Sequence, residues 1–158
     1  MMSVQSLING LEAWTQEELL ARRKFLDLLE AQEAAVKKTE AQALADSVAA
    51  IETEIEAQGR RDQRRARLFA ELGRHWGVAG DALTISSICD RAGDAGRRLA
   101  TLRDELAASS ERIVRKNRRV SALLEAHQKV IEDLLQALVA IQGGTPEART
   151  GALVDAEA

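Results

Sequence analysis

Apolar positions recur at three- and four-residue steps along most of this chain, the spacing that lines one face of an α-helix. The first stripe runs through Val4, Leu7, Ile8, Leu11, Trp14, Ala21, Phe25, Leu28, Leu29, Ala35 and Val36. It predicts a long helix over residues 3–37, with the Ser3 hydroxyl as its N-cap. Continuing that phase past Lys37 would bury Thr39, Gln42 and Asp46, so the stripe fails there. Thr39 followed three residues later by Gln42 matches a capping box, which places a helix-to-helix turn near residues 37–41. A continuous helix is the alternative, because neither Gly nor Pro enforces the break.

A second stripe, Leu44, Val48, Ile51, Ile55, Gln58, Asp62, Arg65, Phe69, Leu72 and Trp76, predicts a helix over 40–76. Its centre is polar, which suggests either that the helix leaves the core there or that it meets a charged partner. Gly73, Gly77 and Gly80 then end the helix and supply a turn. Thr84 can cap a short helix over 84–92, and Gly93 and Gly96 punctuate its exit. The last stripe, Leu99, Leu102, Leu106, Ile113, Val120, Leu124, His127, Ile131, Leu134, Leu138 and Ile141, predicts a third long helix over 94–142.

The expected fold is therefore all-α: an elongated antiparallel helical bundle or coiled-coil hairpin of three long helices plus one short helix. Residues 1–142 form a single domain in this reading, and 143–158, opening on Gly143-Gly144-Thr145-Pro146, form a flexible C-terminal tail. Within the last helix, residues 120–141 differ from the rest. Val120, Leu123, Leu124, Val130, Ile131, Leu134, Leu135, Leu138 and Ile141 occupy an arc of roughly 140°, wider than the seam one coiled-coil neighbour covers. That surplus face either sits between two neighbours of a three- or four-helix core, or holds a partner helix with one flank.

Composition narrows the class without changing the fold. Of 158 residues, 46% are hydrophobic and 30% charged, which fits a folded chain rather than a disordered one. The net charge of −3 hides a division. Residues 1–59 carry 5 basic and 11 acidic side chains, 60–124 carry 15 and 8, and 125–158 carry 2 and 6. A basic middle between acidic ends could bind an external anion or let segments of the chain complement one another. The single cysteine, Cys89, lies in an apolar phrase and reads as a small buried hydrophobe, as expected in a reducing compartment. No apolar run approaches 18 residues and the N-terminus lacks a secretory pattern, so the expected location is cytoplasmic, without membrane insertion.

No enzyme signature emerges. His75 and His127 lie in different segments outside any metal-ligand motif, the glycines lack a P-loop lysine, and Ser109-Ser110 has no evident base. The expectation is a protein with no catalytic residues, no metal and no cofactor. The arginines at 60, 61, 64, 65 and 67 and the run Arg115-Lys116-Asn117-Arg118-Arg119 could reach phosphates, but only Phe69 offers a stacking ring nearby. Nucleic acid is not an expected partner.

Three features, in order and spacing, resemble the FlgN family of flagellar export chaperones. They are the acidic, Leu-rich first helix with Leu19-Leu20 and Leu28-Leu29-Glu30, the passage Arg67-Leu68-Phe69-Ala70-Glu71-Leu72-Gly73 leading to Ala82-Leu83-Thr84-Ile85, and Asn117-Arg118-Arg119-Val120 before the Leu-rich terminal helix. The resemblance implies a non-enzymatic cytoplasmic chaperone of the flagellar type III export system. Such proteins bind the C-terminal helical regions of hook–filament junction proteins, prevent premature assembly and deliver them to the export gate. In the family the C-terminal helix binds the client, which transfers that role to Val120, Leu123, Leu124, Ile131, Leu134, Leu135 and Leu138. The rival reading is a structural coiled-coil spacer or self-associating bundle without a client, and the wide terminal stripe would also suit a homodimer.

Overall fold

The computed structural model describes residues 2–143 and contains only helices and turns among them. The long helices are α1 (Val4–Lys38), α2 (Ala41–Trp76) and α4 (Arg97–Gly143), with the eight-residue α3 (Ile85–Ala92) between the last two. Short 3₁₀ turns at Gly80–Ala82 and Gly93–Gly96 flank α3. The all-α class and the four helices follow the sequence pattern closely. α4 starts three residues later than the stripe suggests, because Gly93 takes φ 57° and the chain turns in 3₁₀ form before Arg97. The expected tail lies outside the described residues, except for Gly143, which ends α4.

The chain divides into two compact units, one ending at Val120 and the other beginning at Ser121. In the first, α1 and α2 form an antiparallel hairpin, and residues 97–120 of α4 run alongside α1 in the same direction. Successive ion pairs record that direction, from Glu12–Arg98 at 3.8 Å to Glu33–Lys116 at 2.5 Å. Ser3 caps α1 by accepting from the Ser6 amide at 3.2 Å, and Thr84 caps α3 in a capping box with Ser87.

The turn at residues 39–40 is real, but its chemistry differs from the expected capping box. Thr39 closes α1 in the left-handed region, at φ 57° and ψ 36°. Its amide donates to the Val36 carbonyl at 3.1 Å and the Glu40 amide to that of Ala35 at 3.0 Å, the paired bonds of a Schellman motif. An N-cap needs extended backbone, so Thr39 cannot also open α2. Glu40 takes that position with no side-chain cap, and Gln42 donates instead to Asp46 at 2.9 Å.

At the other end of the hairpin, Leu7, Leu11, Leu72, Leu83, Ile88, Cys89 and Leu99 make one core cluster drawn from all four helices and the loop before α3. Close backbone approach makes this possible. A Cβ on Gly80 would lie 2.7 Å from the Ala70 Cα, and one on Gly73 would lie 2.6 Å from the Val78 carbonyl, so larger residues would push the loop off α2. Cys89 is buried as expected, and burial pushes its thiol pKa up. A second cluster, Trp14, Leu19 and Leu106, continues the core along α1.

Midway along the hairpin the interior is ionic. Glu18, 1% exposed, accepts from Arg61 Nε at 2.9 Å and from Arg22 Nε at 3.3 Å, and Arg61 also donates to Glu54 at 2.9 Å and to Gln58 at 2.8 Å. Burial alone would lower the Arg61 pKa, but its bonds to Glu18 and Glu54 outweigh it, so the guanidinium is held more firmly charged than usual. The polar seam of α2 thus meets a charged partner inside its own chain. The expected α2 stripe is corrected here: Ser47 and Glu54 are buried, whereas Val48 and Ile55 are 39% and 59% exposed. Turning Glu54 inward to reach Arg61 carries the neighbouring Ile55 outward, since adjacent residues lie about 100° apart on a helix.

Candidate functional site

The acidic and basic segments of the first unit are matched to each other. Glu17 receives Arg64 at 2.8 Å, and Glu33 receives Lys37 at 2.6 Å, Lys116 at 2.5 Å and Arg119 at 3.1 Å. Hydrogen bonds from Lys116 and Lys37, with the charge of Arg119, hold the Glu33 carboxyl pKa at about 2. Arg65 lies over the rings of Trp14 and Phe69, 5.5 Å and 5.9 Å from their centroids, and 3.6 Å from Asp62. Three arginines of the 60–67 cluster and three cations of the 115–119 run, Arg115 at 3.6 Å from Glu111 among them, therefore serve contacts within the unit. Trp14 is core, and its indole N–H donates to the Arg61 carbonyl at 2.9 Å. Among the described residues no group of His, Cys, Asp or Glu is arranged to hold a metal ion. No described helix is long and apolar enough to cross a membrane.

Sequence reasoning did not single out the cleft between α1, α2 and α4 in this unit. It measures about 230 Å³ and is lined by Ala21, Phe25, Ile55 and Ile113 above the Glu18–Arg61–Glu54 group. The polar residues interrupting the α2 seam were its only signal.

The second unit begins at Ser121, and its described part is a single helical segment, residues 121–143 of α4. Leu124, His127, Ile131, Leu134 and Leu138 follow alternating three- and four-residue steps, with Leu123 and Val130 on one flank and Leu135 on the other. Leu123, Leu124 and His127 are half-buried. Val130, Ile131, Leu134, Leu135 and Leu138 are 49–59% exposed. Of the residues proposed from sequence, these last four gather on one accessible face. Val120 does not join them: at 1% exposure it is enclosed as the last buried residue of the first unit. Val130, whose helical phase already put it on the stripe, extends the face instead. Contiguous exposed aliphatics of this kind mark interaction surfaces, because water opposes leaving them bare.

No curated protein and no solved structure matches the chain. The family model described as FlgN protein matches residues 1–150, nearly the whole sequence, and the chain belongs to the FlgN family of flagellar export chaperones.

Proposed function

We propose that this chaperone captures the C-terminal helical region of a hook–filament junction protein on the apolar face formed by Leu123, Leu124, Val130, Ile131, Leu134, Leu135 and Leu138. Covering the client's own apolar stripe keeps it from assembling early, and the complex is then carried to the export gate. The observation that carries this reading is the exposure of five large aliphatic side chains on one face of residues 130–138. Helix-in-groove or helix-on-helix burial is the ordinary use of such a face. At about 25 cal/mol per Å², covering five half-exposed aliphatics yields several kcal/mol before association costs are subtracted. Family membership supplies the class of client, an exported flagellar protein.

The double substitution Ile131→Asp with Leu134→Asp tests the site. Both side chains are exposed, at 49% and 59%, so helicity by circular dichroism and the melting temperature should change little. Affinity for a junction-protein C-terminal peptide, measured by calorimetry, should fall at least about a hundredfold, since two buried carboxylates cost several kcal/mol. Undiminished binding would remove the face from the mechanism. A stable dimer in sedimentation, indifferent to added peptide, would favour the spacer reading.

A further inference from the structure

Exposed arginines in the first unit commonly stand within reach of a carboxylate. Arg64 meets Glu17 across the hairpin, and Arg23, Arg60 and Arg67 each have one four residues away on their own helix, in Asp27, Glu56 and Glu71. The end of the unit departs from this pattern. From Arg112 to Leu124 the chain carries five cations and no carboxylate. Arg112, Arg115 and Arg119 follow three- and four-residue steps along one side of α4, and Arg118 borders Arg115 on the next row. Arg115 thus has three arginines as helix neighbours and is answered only by the exposed Glu111, at 3.6 Å. Two more carboxylates come from α1, but Glu33 is shared by Lys37, Lys116 and Arg119, and Glu30 stands 4.0 Å from Lys116. Arg112 and Arg118, both exposed, have no ion-pair partner among the described residues. Val114, 47% exposed, stands four residues before Arg118 and so beside it.

Like charges three and four residues apart oppose the helix that carries them, and carboxylates brought against them from outside relieve that repulsion. We infer that Arg112, Arg115 and Arg118, with Val114 at their edge, form a docking surface for an acidic segment of a second protein that carries an aliphatic side chain between its carboxylates. The surface shares no residue with the apolar client face and does not rest on that reading. Its charge requires an anionic occupant, and Val114 decides which kind. Residues 112–119 expose this one aliphatic group and include no aromatic ring on which a nucleic-acid base could stack. An acidic peptide segment meets both features, because guanidinium forks hold carboxylates through paired hydrogen bonds while its aliphatic group covers the valine.

Two synthetic helical peptides of about four turns, with glutamates at three- and four-residue steps and either Leu or Ala between them, test the surface by fluorescence anisotropy with the full chain. Both should bind at low salt, and Arg112→Gln with Arg118→Gln should weaken both about tenfold, the scale of two partly screened charge pairs. That loss should shrink at about 0.5 M salt, where screening reaches only a few ångströms. Val114→Ser should weaken the Leu peptide a few-fold at either salt and leave the Ala peptide unchanged. The variants should keep the parent's melting temperature, because the substituted side chains are exposed. Failure of both peptides to bind, binding indifferent to the glutamine substitutions, or binding lost in Ile131→Ser with Leu134→Ser would overturn the surface. Tighter binding of a single-stranded RNA or of anionic vesicles, or a Val114→Ser variant that treats the two peptides alike, would overturn the protein occupant.

Discussion

Glu33 shows how single side chains in this protein depend on charges from distant parts of the sequence. Its carboxylate is 5% exposed and gathers Lys37 from α1 and Lys116 and Arg119 from α4, which brings the far end of α1 to the last turns of the first unit. Those cations lower its pKa from 4.5 to about 2. A group whose pKa is depressed by folding stabilises the fold above its unfolded value and loses that contribution as pH falls through the folded one. The contribution of Glu33 is therefore complete above about pH 4.5 and disappears toward about pH 2. Glu33→Gln should melt at a lower temperature than the parent at neutral pH, and the gap should close across that window. Parallel melting curves over the same range would show that the three cations do not discriminate between the charged and neutral carboxyl. At Glu18, 1% exposed, it is the loss of Arg61 that would be costly, since leaving a buried carboxylate without its cation costs about 3–5 kcal/mol. The identities of these partners could not be read from sequence. Periodicity marked Gln58, Asp62 and Arg65 as anomalies of the α2 seam, but the central cation proved to be Arg61, one residue off that seam.

At the scale of elements, helix existence was legible and helix facing was only partly so. Three-and-four spacing, together with caps at Ser3 and Thr84, located all four helices, because those signals depend on local backbone chemistry. The facing of α2 depended on which charge Glu54 would meet 7 residues away and on the opposing helix, which no local pattern contains. The α1–α2 turn lies between these cases: its place was visible as a lapse in the stripe, its geometry was not. Thr39 holds a left-handed conformation that a β-branched residue adopts at a cost of about 1–2 kcal/mol, in the position where Schellman motifs usually place glycine. Thr39→Gly should accordingly stabilise the hairpin by about 1 kcal/mol after its larger unfolded-chain entropy is subtracted, raising the melting temperature by about 3 °C. A fall in melting temperature would mean that the Thr39 side chain contributes to the turn in a way its exposed position does not suggest.

For the whole molecule, the division at Val120 separates two demands that one sequence pattern encodes alike. The stripe from Leu99 to Ile141 keeps one helical phase throughout, which is why sequence alone left open whether its second half was core or contact surface. Burial distinguishes them: Leu99, Leu106, Ser109 and Val120 are buried, and no described residue after Val120 is. The first unit also contains every buried ion pair and both core clusters, so its stability should not depend on residues 121–158. A chain ending at Val120 should therefore unfold cooperatively, with a melting temperature within a few degrees of the full protein. It should also have lost all affinity for the junction-protein peptide, because the aliphatics at 130–138 are gone. Scanning calorimetry and peptide titration on that shortened chain read the two properties separately. Loss of cooperative unfolding would show that the terminal segment supports the fold, and retained peptide affinity would move the client to a surface of the first unit, where the Phe25–Ile55–Ile113 cleft is one apolar opening.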